Sequence, residues 1–216
     1  NADRCCVPDY GLLALALQWE SGVGPADAFT VHGLWPNRCD GSSAPDDGCD
    51  TKRKYRDVGS IIQAKDGALY AQMNEFWPSN SGKNTNFWQV HASATHEWGK
   101  HGTCLLTLAP SCYGSTYSAN QEMLDYFSQT LALRRQYNLY RAFTDAGLRP
   151  GDRATNERFN AAAVKALGRG VTLRCNNGQI SEVLLYFTVR GHEYTLVDPP
   201  RSGNRGCNGQ VLWATK

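Results

Sequence analysis

No pair of cysteines in this 216-residue chain has C-x-x-C spacing, no Asn-x-Ser/Thr acceptor occurs, and the early apolar run at residues 12–17 is far short of the ~20 residues of a membrane-spanning helix. The first absence argues against zinc ribbons and paired redox thiols. The second means that no N-linked glycan is expected, and the third that no membrane segment is expected. A surplus of one charge is missing as well. With a formal net charge of +2 there is no broad polybasic face for indiscriminate duplex binding, so any nucleic-acid contact has to be local. Internal repeats and low-complexity tracts are also lacking.

What is present is cysteine in number: eight, spread from Cys5 to Cys207. An even set of this kind fits disulfides, which reducing compartments rarely keep, so the protein is expected to be secreted, or held in a vacuole or lysosome. The chain starts at Asn1 without an apolar leader, which suits a mature form after signal-peptide removal. At this length and 41% hydrophobic content, folding buries roughly 70% of the unfolded surface, enough for one sizeable core. A single domain, 1–216, is expected.

Short apolar segments at 11–18 and 28–34, bounded by Gly, Pro and Asp, read as buried strands, which places His32 on a strand. Residues 38–54 are rich in Gly, Ser, Pro, Asp and Lys and read as an exposed loop. Ile61, Ile62, Lys65, Leu69, Met73, Phe76 and Trp77 recur at helical spacing until Pro78. A second helix is expected from Ser118, with Gln121 reaching back to cap it, and a third runs through Phe159 to Leu167 before Gly168. The tail returns to strands: 180–189 and 194–197 as a hairpin, then 211–214. Helices in the middle with strands at both ends argue for an α+β fold.

Two stretches carry the chemistry, His32-Gly-Leu-Trp-Pro and His96-Glu-Trp-Gly-Lys-His-Gly-Thr-Cys104. On a helix His96 and Lys100 share a face, as do Glu97 and His101. Such crowding of ionisable groups is costly unless an anion is held there. A zinc-protease reading of His96-Glu97 fails on spacing, since His96 and His101 are five residues apart and diverge by about 140° on a helix. Two histidines that can be neutral and protonated near their ordinary pKa suit metal-free acid/base work on a phosphodiester next to a hydroxyl. Trp19, Trp77, Trp88 and Trp98 are read as core or cleft wall.

Both motifs resemble those of the ribonuclease T2 family, and the similarity extends through residues 5–11, 17–19, 76–80 and 186–191, looking closest to the fungal branch. The resemblance implies an α+β fold with a central antiparallel sheet flanked by helices and stabilised by disulfides. It implies cleavage of single-stranded RNA by transphosphorylation to a 2′,3′-cyclic phosphate and then a 3′-phosphate, with low base specificity. In role, His101 corresponds to the general base, His32 to the general acid, and His96, Glu97 and Lys100 to phosphate binding. Trp35 corresponds to a base-stacking residue, with Asn37 beside it, and Gln18, Pro78, Ser79, Asn80 and Phe87 to the wall for a second base. Cys5 with Cys112, Cys49 with Cys104, and Cys175 with Cys207 are the implied disulfides. Cys6 and Cys39 are left over and are expected to pair.

The chain departs from the family pattern in two places. Residues 89–95 separate Trp88 from His96; a bulged loop that leaves the helix undisturbed is favoured, the alternatives being a crowded cleft or His91 as a further ligand. Asn37 and Ser43 stand where fungal relatives can carry aspartate and tyrosine, and at the first of these an amide offers both donor and acceptor where a carboxylate only accepts. No cofactor or metal is expected, nor DNA or a membrane as partner, and the state expected is a monomer. The rival reading keeps the fold without turnover, as a secreted RNA-binding or cell-interacting protein; a toxin using the same activity is a third.

Overall fold

Strand β1, Leu12–Gln18, alternates leucine and alanine after its first residue, and a strand sends successive side chains to opposite faces. Leu13, Leu15 and Leu17 enter the main core, each worth about 1.5–3 kcal/mol of burial. Ala14 and Ala16 face the other way, packing with Leu184 beneath Trp35 and Tyr186. The leucine face is therefore the core face. At its middle the other face carries only the methyl groups of Ala14 and Ala16, which leave room above them for a cleft.

The structure is a computed structural model that describes residues 3–88, 97–200 and 206–216. β1 lies between β2, Thr30–Asn37, and the long β5, Gln179–Arg190, antiparallel to both. β5 carries β4, Thr172–Asn176, and β6, Glu193–Val197, on its other edge, and continues to β7, Gln210–Leu212, and β3, Arg153–Thr155. The sheet is antiparallel as expected, save one parallel pairing of Gln179 with Leu212. The β5–β6 hairpin turns at Arg190 and Glu193, as its sequence indicates.

A β-bulge in the β1–β2 ladder decides where His32 points. Ala16 pairs with Gly33 and Leu17 with Val31, so His32 is the extra residue. Strict alternation from core-facing Leu34 would turn His32 into the core; the bulge instead lets Val31 take the core position and leaves His32 on the cleft face.

Helices cover the core face. The periodic run before Pro78 forms two helices, α1, Val58–Lys65, and α2, Gly67–Phe76, because Asp66 breaks it and accepts the Leu69 N–H to cap the second. α3 spans Asn84–Trp88. α4, Gln121–Gln136, starts three residues after Ser118; Gln121 does reach back, its Oε1 accepting from Ser118 N, but the first helical residue is Gln121 itself. α4 buries Met123, Tyr126, Phe127, Leu131 and Leu133. α5, Leu139–Asp145, follows, and α6, Asn156–Leu167, ends on Gly168 in the left-handed region as expected.

Disulfides join Cys5 to Cys112, Cys49 to Cys104 and Cys175 to Cys207. The expected Cys6–Cys39 bond is not formed, and both are exposed free thiols. The reason is local: Cys5 is drawn to Cys112, and the turn closed by Cys6 N and Val7 N onto Asp3 O leaves Cys6 facing solvent. Cys39 sits in a separate tight turn held by Arg38 and Ser42.

Candidate active site

The second motif forms a π-helical turn, Glu97–His101, followed by a 3-10 turn, rather than the regular helix its spacing suggests. It is held from below: Trp98 Nε1 donates to Arg53 O at 2.6 Å, and buried Arg53 donates to Thr103 O. The Cys49–Cys104 bond closes the far end. π-turns are rare and frequent at functional sites; this one opens at Glu97.

Glu97 is 2% exposed and faces β2. Its Oε2 accepts from Trp35 Nε1 at 3.3 Å. Gly33 makes this approach possible, because a Cβ there would stand 1.9 Å from Glu97 Oε2 and 2.4 Å from Trp35 Nε1. Burial pushes the Glu97 carboxyl up to about 7, against the opposing pull of His32 and the Trp35 N–H.

Trp35 joins the two motifs. Its ring lies 5.0 Å from that of His32, edge-on, and 5.7 Å from that of His101. Lys100 pairs with Asp46 of the preceding loop at 2.7 Å, and that bond holds the exposed Asp46 below the usual carboxylate range. Trp35, Asn37, Ser43, Lys100, His101 and Tyr186 share a cleft of about 220 Å³ whose floor includes Leu12 and Ala14. Asn37 gives one amide N–H to Trp35 O at 2.8 Å, and its amide carries a second N–H donor as well as the side-chain oxygen acceptor.

The residues expected to form a second wall lie on the other side of His32. Phe87 is 5.7 Å from the His32 ring. Gln18 is buried, and its Nε2 donates to Pro78 O at 3.2 Å and Val31 O at 3.4 Å, so its amide fixes the 78–81 turn against β2. Ser79 braces that turn internally, its hydroxyl donating to Ser81 O at 2.6 Å and accepting from Ser81 N at 3.0 Å, and its N–H ties the turn to Asn84 Oδ1 at 2.8 Å; Asn80 is exposed. His96, His91 and the 89–95 insertion lie outside the described residues. Trp77, Trp88, Trp98 and Trp19 are core residues, as read.

Two residues at this site escaped the sequence reading. Glu182 on β5 bonds His32 Nδ1, and Arg174 on β4 donates to the other Glu182 oxygen at 3.1 Å while lying 5.5 Å over the Trp35 ring. Burial works to raise the Glu182 carboxyl, but the His32 bond and Arg174 overturn it and hold it below its ordinary value. The available signal was a lone carboxylate in an apolar strand, at the same parity as Leu184 and Tyr186. Its partner, 150 residues away, is not visible in the sequence.

Comparison with known proteins adds an independent line. The profile of the ribonuclease T2 family matches residues 10–197. The chain is 43% identical to Ribonuclease Rh of Rhizopus niveus over 217 aligned positions, covering 100% of this chain and 87% of that protein. It is 36% identical to Ribonuclease M of Aspergillus phoenicis, covering 98% and 90%. The crystal structure of Actibind, a T2 ribonuclease, superposes with a TM-score of 0.89 at 32% identity, covering 100% of this chain and 92% of that one.

Proposed function

Because the chain belongs to the ribonuclease T2 family and is an endoribonuclease, we propose that it cleaves single-stranded RNA without a metal, using His101 and His32 as the proton-transfer pair. The nucleophile is the 2′-hydroxyl of the substrate itself, so no activated water has to be generated for the first step. His101 takes the hydroxyl proton as that oxygen bonds to phosphorus. His32 gives its proton to the departing 5′-oxygen, and the 3′ side is left as a 2′,3′-cyclic phosphate. In the second step the roles reverse: water, deprotonated by His32, opens the cycle, and His101 returns a proton to the 2′-oxygen to leave a 3′-phosphate.

The observation that carries this reading is the placement of His32 by the bulge on the same sheet face as Trp35, which touches both imidazoles. Lys100 and Glu97 complete the phosphate grip, with His96 as the further member carried over from the motif. A carboxylate would repel the phosphate. Glu97 titrates at about 7, so in acid it is a neutral carboxyl that donates a hydrogen bond to a non-bridging oxygen. The base lies in the cleft against Trp35, near Asn37 and Tyr186, and a second base lies toward Phe87 and the 78–81 turn. Secretion accords with the three disulfides, and the protein acts as a single-domain monomer.

The test is digestion of a homopolymer in the presence of a chelator, with end-group analysis. Cyclic ends should accumulate first, DNA should resist, and His32→Ala and His101→Ala should each lose about 10²- to 10⁴-fold in rate. Full activity in either variant, or equal cleavage of DNA, refutes the mechanism.

A further inference from the structure

His32 has a partner that its place in the motif does not call for. Its Nδ1 is bonded to Glu182, whose second oxygen accepts from Arg174 Nη1 at 3.1 Å. The sheet builds this row: β4 pairs Arg174 with Glu182, β5 pairs Glu182 with Gln18, and the bulge turns His32 toward it. The Glu182 side chain is only 14% exposed, so solvent screens its charge little.

An imidazole can rotate and can carry its proton on either nitrogen, and a bond at one nitrogen fixes both choices. Resting on the reading of His32 as general acid, we infer that Glu182 is a positioning residue for it: the carboxylate holds the Nδ1 proton and the ring plane, so that Nε2–H is presented to the departing 5′-oxygen. Arg174 restrains this hold by drawing on the same carboxylate.

The charged groups facing His32, among the described residues, are Glu182 from β5, Glu97 from the π-turn and Arg174 from β4; the rings of Trp35 and Phe87 supply uncharged walls. Burial pulls the imidazolium down, and Arg174 adds to that. The Glu182 bond and charge, joined by the charge of Glu97 where that carboxyl ionises, outweigh both and leave His32 above its ordinary value. Without Glu182 the ring would be free to flip and would lose its proton at lower pH.

The experiment compares two substrates. A dinucleoside phosphate needs its leaving oxygen protonated, whereas a nucleoside 3′-(4-nitrophenyl phosphate) releases a phenolate that does not. Glu182→Gln should slow the dinucleotide on the order of tenfold and the nitrophenyl ester much less. It should also move the alkaline limb of the rate profile, and the NMR titration of the His32 ring, to lower pH. Arg174→Gln should move both to higher pH. Equal slowing of the two substrates by Glu182→Gln, or limbs that shift in the same direction in both variants, overturns the positioning role. If Glu182→Gln does not fold, a limb that fails to rise in Arg174→Gln overturns it alone. His32→Ala separates the two readings. If it slows both substrates equally, the general-acid assignment falls; if it discriminates between them and Glu182→Gln does not, only the role of Glu182 falls.

Discussion

At the scale of the residue, Glu97 ties the stability of the fold to pH. Its folded pKa, about 7, lies above its unfolded value because burial disfavours the charge. A raised pKa means the folded state binds the proton more tightly, so its contribution is fully present below the unfolded pKa near 4.5 and is lost as pH rises through about 7. The loss amounts to up to about 3 kcal/mol. Glu97→Gln should flatten this dependence: in urea unfolding at the two pH values, wild type should lose more stability than the variant on going to neutrality. Equal losses would mean that Glu97 is charged and satisfied in the fold. On the proposed mechanism, in which His101 works neutral and His32 charged, the rate profile should be a bell, and the Glu182 bond that raises His32 extends its alkaline limb.

At the scale of the element, the functional geometry comes from two irregularities, a bulge in β2 and a π-turn after residue 96, with one glycine between them. Gly33→Ala places a methyl group where Glu97 Oε2 and Trp35 Nε1 meet. Expected is a cost of about 1–3 kcal/mol in stability and a fall in rate of about 100-fold, the scale of a 1 Å misplacement; circular dichroism and steady-state kinetics read the two effects. Nearly unchanged rates would show that Glu97 need not sit on Gly33. Cys49–Cys104 spans 55 residues and anchors the loop that carries Asp46 to the end of the 3-10 turn that follows the π-turn. Replacing both by serine should lower stability by about 4 kcal/mol on chain-entropy grounds, measured as the denaturant midpoint under non-reducing conditions.

At the scale of the whole molecule, a net charge of +2 with cations gathered at one cleft gives a limited dependence on salt. About two to three phosphate contacts on a single strand correspond to a log–log slope of roughly −1.4 to −2.1. KM for a homopolymer should therefore rise about tenfold between roughly 50 and 200 mM salt, with kcat little changed. A slope several times steeper would require a basic track far longer than Lys100, Arg174 and the histidines provide.

The sequence alone determined the α+β class and, through two motifs of fixed local spacing, the resemblance to the family, which in turn implied three of the disulfides and the candidate catalytic residues. Its periodicity located β1, β2, β5, α4 and α6 to within a few residues, since each has an apolar face that repeats at 2 or 3.6. Only the tertiary structure decided the π-turn, the side of the sheet that His32 faces, the Glu182–Arg174 row behind it and the free state of Cys6 and Cys39. Each of those depends on which strands become neighbours and where one ladder slips by a residue. A contact between Glu182 and His32 is a property of that register, and no local window of the chain contains both partners.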